Sequence, residues 1–452
     1  MLTAVLTCPA LAAAAESRVT HTLRAGPLRI GPYEAVRQTQ DVRAPAVTGS
    51  IVSMDAHVVD GSGNVIPQSQ VMLHHLVFFN RGHTGAPRFD GTCLSHPADQ
   101  RFFGTSEELQ PMELPEGHGY PIDRRDHWRA TWMLMNHTQW ERKAWIQYRV
   151  TVDSAVTIKP VVPYWVGVVP CGADPQYTVP GGGALGSETT RRTAWKVPMS
   201  GRIVAVGGHL HGGARRLTLE QSGCNGRTLV SSRPMYGLAG DPVYGVRPLL
   251  HEPGPLGISW WRSSTGISVR RGESLIVGSH YEGSRPHMRV MGIAHVYLAP
   301  GAASSTACAP LPSDAEEPKA AFSGRLEPPT VRLTLARVGS DGAARAVGAP
   351  RSKVVHFKRS ATVEVKGFEY RPAVLSIAAG GRVRWHFRDD STHDVTLVTG
   401  PTGFASPWTR RGGGYTRRFT TPGAYRLQCS LHPTVMSQLL RVRARGSASK
   451  PR

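Results

Sequence analysis

Short apolar runs separated by turn-forming residues dominate the sequence between about residues 45 and 300. Examples are GSIVSMDAHVV, VMLHHLVFF, RATWMLMN, KAWIQYRVTV, RIVAVGGHLHG and SLIVGSHY. Glycine (49) and proline (35) are spread along the whole chain. Because this spacing is typical of strands joined by turns, and not of strands alternating with helices, the sequence predicts an all-β chain built from β-sandwiches.

A chain of 452 residues is long for one domain, so we expect several. The segment VPGGGALGSETTRR predicts a joint between two sandwiches, and the Ala-, Pro- and Ser-rich segment after residue 300 predicts a linker. The predicted order is a signal peptide (1–15), two β-sandwiches (16–185 and 186–300), a linker (301–350), a small β-barrel (351–445) and a basic tail (446–452).

The N-terminal segment MLTAVLTCPALAAAAES resembles a secretory signal with a small-residue cleavage site, which predicts a secreted, extracellular or cell-envelope protein. No later apolar run is long enough to span a bilayer. Removal of the signal leaves five cysteines: Cys93, Cys171, Cys224, Cys308 and Cys429. An odd number in an oxidising compartment implies one unpaired thiol. Their order along the chain suggests Cys93–Cys171 and Cys224–Cys308 disulfides, without fixing the pairing.

The chain is strongly basic, with a formal net charge of +21. The basic residues are scattered, and no zinc-finger, recognition-helix or aromatic RNA-binding motif accompanies them. We therefore expect a solvated basic surface that is compatible with anionic surfaces but has no specific nucleic-acid partner.

Near the C-terminus, the stretch YRLQCSLHPTVMSQLLRV places Cys429, His432 and Met436 close together in a predicted strand–loop–strand. A blue-copper centre needs two imidazoles, a thiolate and a weak thioether. The second imidazole is expected from His393 in RVRWHFRDDSTHDVTLV. Each residue alone is more often core filling or a satisfied polar group. The combination, with the unpaired cysteine, indicates a type 1 copper site.

This region resembles the cupredoxin family, in the style of plastocyanin and pseudoazurin. The matching pieces are GGRVRWHFRDDSTHDVTLV and GAYRLQCSLHPTVMSQLLRV. The resemblance implies a Greek-key β-barrel at residues 351–445 and the copper ligands His393, Cys429, His432 and Met436.

Two further histidine pairs lie upstream. In MLHHLVFF, His74 and His75 are adjacent, so both can reach one metal only at a strand end or a β-bulge. In GGHLHGG, His209 and His211 are two positions apart and therefore share one face of a strand. Either pair alone is also compatible with an ordinary polar surface.

Additional ligands are expected from two other motifs. His137 in WMLMNHT is one candidate, and Met291 in RVMGIAHVYLA is the other, with Met288 as a rival thioether. Histidine with histidine, and histidine with methionine, both suit a copper ion that cycles between two oxidation states.

From about residue 45 to 300, the chain resembles the copper type II, ascorbate-dependent monooxygenases, because these motifs occur in the order found in that family. Its members include peptidylglycine hydroxylating monooxygenase and dopamine β-monooxygenase. The resemblance implies two jelly-roll-type sandwiches, each with one type 2-like copper, facing each other across a water-filled cleft. It assigns an electron-transfer site with the ligands His74, His75 and His137. It also assigns a catalytic, oxygen-activating site with the ligands His209, His211 and Met291.

The chain departs from that family where the peptide-hydroxylating members bind the substrate carboxylate. The positions of their Arg, Asn and Tyr are occupied here by Gly207, Ile293 and His295. A peptidylglycine substrate is therefore not expected, and an apolar or small substrate fits these less polar positions better.

These features predict an exported multi-copper oxidoreductase that hydroxylates a small organic substrate with dioxygen. The expected electron source is an external reductant, ascorbate-like or a redox protein, and the cupredoxin domain is expected to donate or relay the electron. The alternatives are a non-catalytic copper-binding or electron-transfer protein and, more remotely, a cell-surface adhesion module.

Overall fold

The computed structural model describes residues 17–81, 99–169, 175–306, 308–317 and 324–444. Regular structure in these residues is almost entirely β, which confirms the predicted fold class. The predicted signal peptide, basic tail and Cys93–Cys171 disulfide lie outside the described residues. Among the described residues, no helix is both long enough and apolar enough to cross a membrane.

The first sandwich contains ten strands in two sheets. They are β1 (Arg18–Ile30), β2 (Ala35–Val42), β3 (Gly49–Val59), β4 (Val71–Arg81), β5 (Asp99–Ser106), β6 (Met112–Glu113), β7 (His118–Ile122), β8 (His127–Asn136), β9 (Arg142–Asp153) and β10 (Lys159–Pro160). One sheet has the order β1-β9-β3-β7-β10, with β6 beside β3, and the other has the order β2-β8-β4-β5. Large aromatic side chains such as Trp128, Trp132 and Tyr148 fill the core between them.

The second sandwich is built from twelve further strands. They are β11 (Val162–Gly167), β12 (Tyr177–Val179), β13 (Glu188–Lys196), β14 (Gly201–Leu210), β15 (Ala214–Gln221), β16 (Arg227–Ser232), β17 (Pro234–Met235), β18 (Gly257–Ile258), β19 (Trp261–Val269), β20 (Ser274–Glu282), β21 (His287–Val290) and β22 (Gly292–Pro300). Its main sheets are β11-β22-β14-β19 and β13-β20-β15-β16, and β12–β21 and β17–β18 form small pairs. A 3₁₀ turn (Ser222–Cys224) and one short helix, α1 (Pro242–Gly245), lie between strands.

The predicted boundary at residue 185 lies too far along the chain. Strand β11 pairs with β22, and β12 pairs with β21, so residues 162–179 belong with the second sandwich. The glycine-rich segment that suggested the joint is instead a loop between β12 and β13.

The two sandwiches pack directly against each other. Val204 and Trp260, from the second, are part of the same apolar core as the first sandwich. Tyr297 Oη donates to the carbonyl of Phe102 at 2.9 Å, and Trp260 Nε1 donates to the carbonyl of Glu113 at 2.8 Å. The strands that carry the histidine pairs, β4 and β14, therefore belong to two units that share this interface.

The segment predicted as a linker runs along the second sandwich. A disulfide joins Cys224 to Cys308, which confirms that predicted pairing. Asp314 accepts hydrogen bonds from the hydroxyls of Ser263 and Thr265 at 2.7 and 2.6 Å. Two short strands, β23 (Leu335–Val338) and β24 (Ala344–Val347), form a hairpin before the last domain. Only part of this segment is therefore extended chain.

The C-terminal domain is a two-sheet β-structure around Trp385. Its strands are β25 (Val355–His356), β26 (Ser360–Lys366), β27 (Glu369–Arg371), β28 (Val374–Ala378), β29 (Gly381–Phe387), β30 (Thr396–Thr399), β31 (Gly414–Phe419), β32 (Gly423–Gln428) and β33 (Ser437–Arg443). They form the sheets β25-β28-β33-β32-β30 and β27-β26-β29-β31. The Trp385 indole is fully buried and donates to Gln438 Oε1 at 2.9 Å, which links the two sheets.

Candidate metal centres

A β-bulge in β4 allows adjacent histidines to point to the same place. The pairing of β4 with β8 shifts register between Leu73 and His75. The imidazole rings of His74 and His75 consequently lie side by side, with centroids 4.2 Å apart. A regular strand would have sent them to opposite faces of the sheet.

The second pair lies at the end of β14. His209 is in the strand and His211 follows it, with their Nε2 atoms 3.1 Å apart. Two nitrogen ligands of one metal ion, each bonded at about 2.0–2.1 Å, are separated by about 3 Å. The backbone of His211 is held by Tyr281, whose hydroxyl accepts from the His211 N–H at 2.9 Å and donates to the Met291 carbonyl. This pair therefore has the geometry of a metal-binding pair.

The two histidine pairs meet each other. The ring of His74 lies 5.1 Å from that of His211, and the ring of His75 lies 5.4 Å from that of His209. With a fifth histidine they form the histidine cluster: His74, His75, His209, His211 and His251. Two overlapping triads, each with ring nitrogens within 4.8 Å of one another, share His211; they are His74–His211–His251 and His75–His209–His211.

This arrangement differs from the one that the monooxygenase resemblance implies, in which each pair serves its own domain across a cleft. Here β4 and β14 approach at the interface between the sandwiches, and each triad takes ligands from both domains. The difference follows from the shared apolar core, since Val204 and Ala205 of β14 pack into the core of the first sandwich.

His251 was not identified from the sequence. It lies between α1 and β18 in the loop LLHEPGPLG, where a lone histidine among prolines and glycines carries no periodic signal. Its ring contacts that of His74 edge-on, with centroids 4.5 Å apart. Its buried Nδ1 has no hydrogen-bond partner in the described part of the chain. An unpartnered, buried ring nitrogen beside another histidine is a suitable metal ligand.

Two consecutive glutamates that follow β5 orient one histidine of each pair. His74 Nδ1 donates to Glu107 Oε1 at 3.1 Å, and His209 Nδ1 donates to Glu108 Oε1 at 3.1 Å. Both carboxylates are buried. Because a proton on Nδ1 leaves the lone pair on Nε2, each glutamate selects the tautomer that binds metal through Nε2. No sequence motif pointed to this role of Glu107 and Glu108.

Burial sets the protonation of four histidines of the cluster. It lowers the pKa of His74 and His251 to about 3, and that of His75 and His211 well below the usual value. These imidazoles are therefore neutral at pH 7, as metal ligands must be. Burial also raises the pKa of Glu107 to about 7.

The predicted third ligand of the first site, His137, lies beside this cluster but in neither triad. Burial lowers its pKa to about 4, with His74 contributing further, and the backbone carbonyls of Ser69 and Gln68 hold the ring. Its Nδ1 is buried and has no partner among the described residues. A role as an additional ligand therefore remains a prediction.

The two candidate thioethers face different environments. Met291 is buried and lines a cavity together with His75 and His209. Met288 instead packs against the core of the C-terminal domain. Of the two, Met291 is therefore the one placed near the histidine cluster.

The cavity beside the cluster has a volume of about 360 Å³ and is mostly apolar. Its aromatic walls are Phe79, Trp132, Trp165 and Trp408. Trp408 belongs to the C-terminal domain, so all three units contribute to this one space. The shape and lining suit a small, largely apolar organic molecule.

Two of the positions at which the sequence departs from the peptide-hydroxylating enzymes contribute to this lining. Ile293 and His295 line the cavity, and the His295 ring stacks on Trp165 with centroids 4.0 Å apart. At Gly207 a Cβ would lie 2.2 Å from the Trp260 ring, so that position has no room for an arginine. Aromatic packing by Trp260 therefore occupies the space beside Gly207.

The C-terminal domain brings together His393, Cys429 and His432 as expected. The Nδ1 atoms of His393 and His432 lie 4.0 and 3.4 Å from Cys429 Sγ. His393 Nε2 donates to Asp389 at 2.8 Å, which leaves its Nδ1 lone pair free. The described residues contain one free cysteine, the buried Cys429, as predicted.

The loop that carries three of the predicted ligands is closed by its own backbone. The Cys429 N–H donates to the Met436 carbonyl at 3.3 Å, and the Met436 N–H donates to the His432 carbonyl at 3.0 Å. Met436 is buried in the same core as Cys429. Burial raises the pKa of the Cys429 thiol well above its usual value, so a bound cation is needed to favour the thiolate at neutral pH.

Comparison with known proteins supports copper chemistry for part of the chain. Residues 177–301 match the SURNod19 family, described as "Stress up-regulated Nod 19". The chain is 25% identical over 235 residues to "Probable copper-dependent oxygenase M1" of Phoma sp., covering 48% of this chain and 55% of that protein. It is also 25% identical over 202 residues to "Probable copper-dependent oxygenase clz3" of Cochliobolus lunatus, covering 41% and 58%. The chain is thus similar to two proteins named as probable copper-dependent oxygenases. It spans little more than half the length of either relative.

Among solved structures, the chain is similar to variants of amicyanin. An oxidised variant is 25% identical, with 18% of this chain and 80% of that one covered, and the TM-score is 0.17. A reduced variant is 28% identical, with 19% and 82% covered and a TM-score of 0.18. These scores are too low to add to the fold described above.

Copper fits both donor sets. The histidine cluster offers imidazoles, with unpartnered buried nitrogens at His75 and His251, and the C-terminal site offers two imidazoles and a thiol. Imidazole and sulfur donors together suit copper. Magnesium and calcium prefer carboxylate and carbonyl oxygens, and the three triads found among the described residues contain no such ligand.

Proposed function

We propose that the chain is a copper- and dioxygen-dependent oxygenase that hydroxylates a small, largely apolar organic substrate. The observation that carries this proposal is the convergence of two histidine pairs beside an apolar cavity, whose wall includes one member of each pair, His75 and His209. The chain's similarity to proteins named as probable copper-dependent oxygenases supports the same reaction class. Copper bound by these imidazoles would supply one-electron redox chemistry toward dioxygen.

The residues around the cluster have distinct roles in this proposal. His209 and His211, with Met291 nearby, would hold the copper that reacts with dioxygen, and His75 and His209 are the members of the cluster that line the cavity. A second copper would be held by His74 and His251, with His137 as the further candidate. His211 would serve one copper or the other, because a neutral imidazole offers a single lone pair. Glu107 and Glu108 keep the metal-binding nitrogens of His74 and His209 unprotonated.

The cavity determines what can be oxidised. Trp132, Trp165 and Trp408 line it and would offer flat apolar surfaces to the substrate. Since Gly207 stands where the family has its carboxylate-binding arginine, and Trp260 packs against Gly207, the substrate is expected to lack a carboxylate handle at that place. The volume of about 360 Å³ limits it to a small molecule.

The C-terminal domain is proposed to hold a type 1 copper and to donate electrons to the histidine cluster. Its contacts with the sandwiches support this role. The Gly403 N–H donates to the Pro180 carbonyl at 2.9 Å, and Met288 of the second sandwich packs against the core of the domain. An external reductant, ascorbate-like or a redox protein, would supply the electrons in an exported protein.

The proposal is tested by dioxygen consumption of the copper-loaded full chain with ascorbate as reductant. Consumption that depends on copper and ceases in His211→Ala, while the blue absorption of the C-terminal site persists, supports an oxygenase. A blue protein that consumes no dioxygen above the level of His211→Ala is instead an electron-transfer protein. Incorporation of labelled oxygen into candidate apolar compounds then identifies the substrate.

A further inference from the structure

The residue before Cys429 contacts the segment that carries His251. Gln428 is buried, and its Nε2 donates to the carbonyl of Leu250 at 3.3 Å. Leu250 is bonded directly to His251, a member of one histidine triad. A single hydrogen bond thus connects two short covalent segments, one containing the thiolate ligand and the other an imidazole of the cluster.

The residue after Cys429 is part of an ion-pair network between the same domains. The backbone N–H and hydroxyl of Ser430 both donate to the Asp394 carboxylate at 2.6 Å. Asp394 is fully buried and forms an ion pair with Arg289, which lies two residues before Met291. Trp408 Nε1 donates to Ser430 Oγ at 3.3 Å.

Arg289 is fixed from several directions. Its guanidinium donates to the Ser406 carbonyl at 2.6 Å and to Gln176 Oε1 at 2.9 Å, and it stacks over the Trp408 ring at 5.0 Å. Its backbone has φ of 55°, a left-handed conformation that is costly for a residue with a side chain. Such a conformation persists only when surrounding contacts hold it, so Arg289 acts as a clamp between the domains.

We propose that electrons pass from the C-terminal copper site to the histidine cluster through Gln428, Leu250 and His251, and that the Arg289–Asp394 ion pair holds the two sites in register. This inference rests on the proposed function, because it requires copper at both sites. Each transfer moves one electron: the C-terminal site is oxidised, the cluster is reduced, and no proton or bond is exchanged. The external reductant then returns one electron to the C-terminal site.

The other side of the C-terminal site is left for that reductant. His432 is only half-buried, and its ring packs edge-on against the exposed Phe368 at 4.8 Å. Among the described residues, its hydrogen-bond partners all lie within its own domain. Electrons are therefore expected to enter beside His432 and to leave through the Cys429 strand.

The test measures intramolecular electron transfer by stopped-flow spectroscopy of copper-loaded full chain. The C-terminal site is reduced rapidly with substoichiometric reductant in the absence of dioxygen, and the return of the blue band reports transfer to the cluster. In Gln428→Leu the transfer is expected to slow by roughly tenfold or more, as when an outer-sphere partner is lost. The blue absorption spectrum and the copper content should not change. Gln428→Asn, which keeps a polar group but shortens the side chain, should slow transfer as well.

A matched pair of arginine variants tests the clamp. Arg289→Lys retains the charge but loses the multiple hydrogen bonds, and is expected to slow transfer. Arg285→Lys changes a nearby arginine that pairs with Glu282 and the Pro329 carbonyl, and should have no effect. In metal-free protein, hydrogen exchange around residues 246–256 is expected to be faster in Arg289→Lys than in the parent or in Arg285→Lys. This difference would report the loosened contact directly.

The outcomes separate the two proposals. Equal transfer rates in the parent and both Gln428 variants overturn the Gln428 route. Equal rates in Arg289→Lys and Arg285→Lys overturn the clamp. If the parent shows no transfer although both sites hold copper, the donor role in the proposed function fails instead.

Discussion

The Nε2 atoms of His209 and His211 lie 3.1 Å apart, and the ring of His211 also faces that of His74 from the other sandwich. One histidine thus belongs to both triads of the cluster. This relationship makes the two candidate copper positions interdependent, which two separate sites across a cleft would not be.

The shared histidine predicts an asymmetry between two alanine variants. His211→Ala should lower the copper bound by the cluster more than His251→Ala, because it removes a ligand from both triads. Metal analysis of the purified chain measures the difference, with the blue absorption proposed for the Cys429 site as an internal control. Equal copper losses in the two variants would contradict a shared ligand.

The glutamate that orients His209 should matter for copper affinity. Glu108→Ala is expected to weaken copper binding by about 10–100-fold, the usual cost of losing such a partner. Glu108→Gln keeps an acceptor for the His209 Nδ1–H and should be milder. Competition with a chelator measures affinity, and Glu116→Ala, on the exposed loop before β7, is the control. An unchanged affinity in Glu108→Ala would show that the hydrogen bond does not orient the ligand.

The metal-free protein should lose stability as the pH falls below about 6.5. The pKa of His74 and His251 is about 3 in the folded chain and that of His137 about 4, so the unfolded chain binds more protons in this range. The contribution of these histidines to stability is fully present above pH 6.5. Below that pH, each of them lowers the free energy of unfolding by up to about 1.4 kcal/mol per pH unit. Glu107, whose pKa is raised to about 7, offsets part of this effect.

Chemical denaturation between pH 7.5 and 5 tests this dependence. His137→Gln removes one of the responsible groups and should give a shallower decline than the parent. A free energy of unfolding that is constant over this range would mean that the folded metal-free protein protonates these histidines as readily as the unfolded chain.

Gly207 should not tolerate even a methyl group. A Cβ there would lie 2.2 Å from the Trp260 ring, so Gly207→Ala is expected to cost about 1–3 kcal/mol of unfolding free energy. Gly240 has no heavy atom within 4 Å of the corresponding position, so Gly240→Ala serves as the control and should change stability little. Similar stabilities would show that Trp260 can move away and that the position is open to a substrate-binding side chain.

Much of this architecture could be predicted from local patterns. The strand periodicity predicted the all-β class, and the His-x-His motif predicted a shared direction for His209 and His211. The requirement for a bulge at His74 and His75 also followed from strand geometry, and the bulge is present. The order of the cysteines along the chain suggested the Cys224–Cys308 disulfide without fixing it, and their odd number implied one unpaired thiol, which among the described residues is Cys429.

The features that were missed depend on contacts between distant segments. His251 lies in a loop, and its meaning arises only when the second sandwich folds it against His74. The domain boundary was misplaced because Val162–Gly167 looks like any other strand until it pairs with β22. The convergence of the two histidine pairs depends on how the sandwiches pack, which motif order along the chain does not encode.

The most direct test of the whole account is the reaction of fully reduced, copper-loaded protein with dioxygen, followed at the blue band. If the histidine cluster reacts with dioxygen and then draws an electron from the Cys429 site, the blue band returns rapidly in the parent and much more slowly in His211→Ala. Return at the same rate in both proteins, or in neither, would contradict the account.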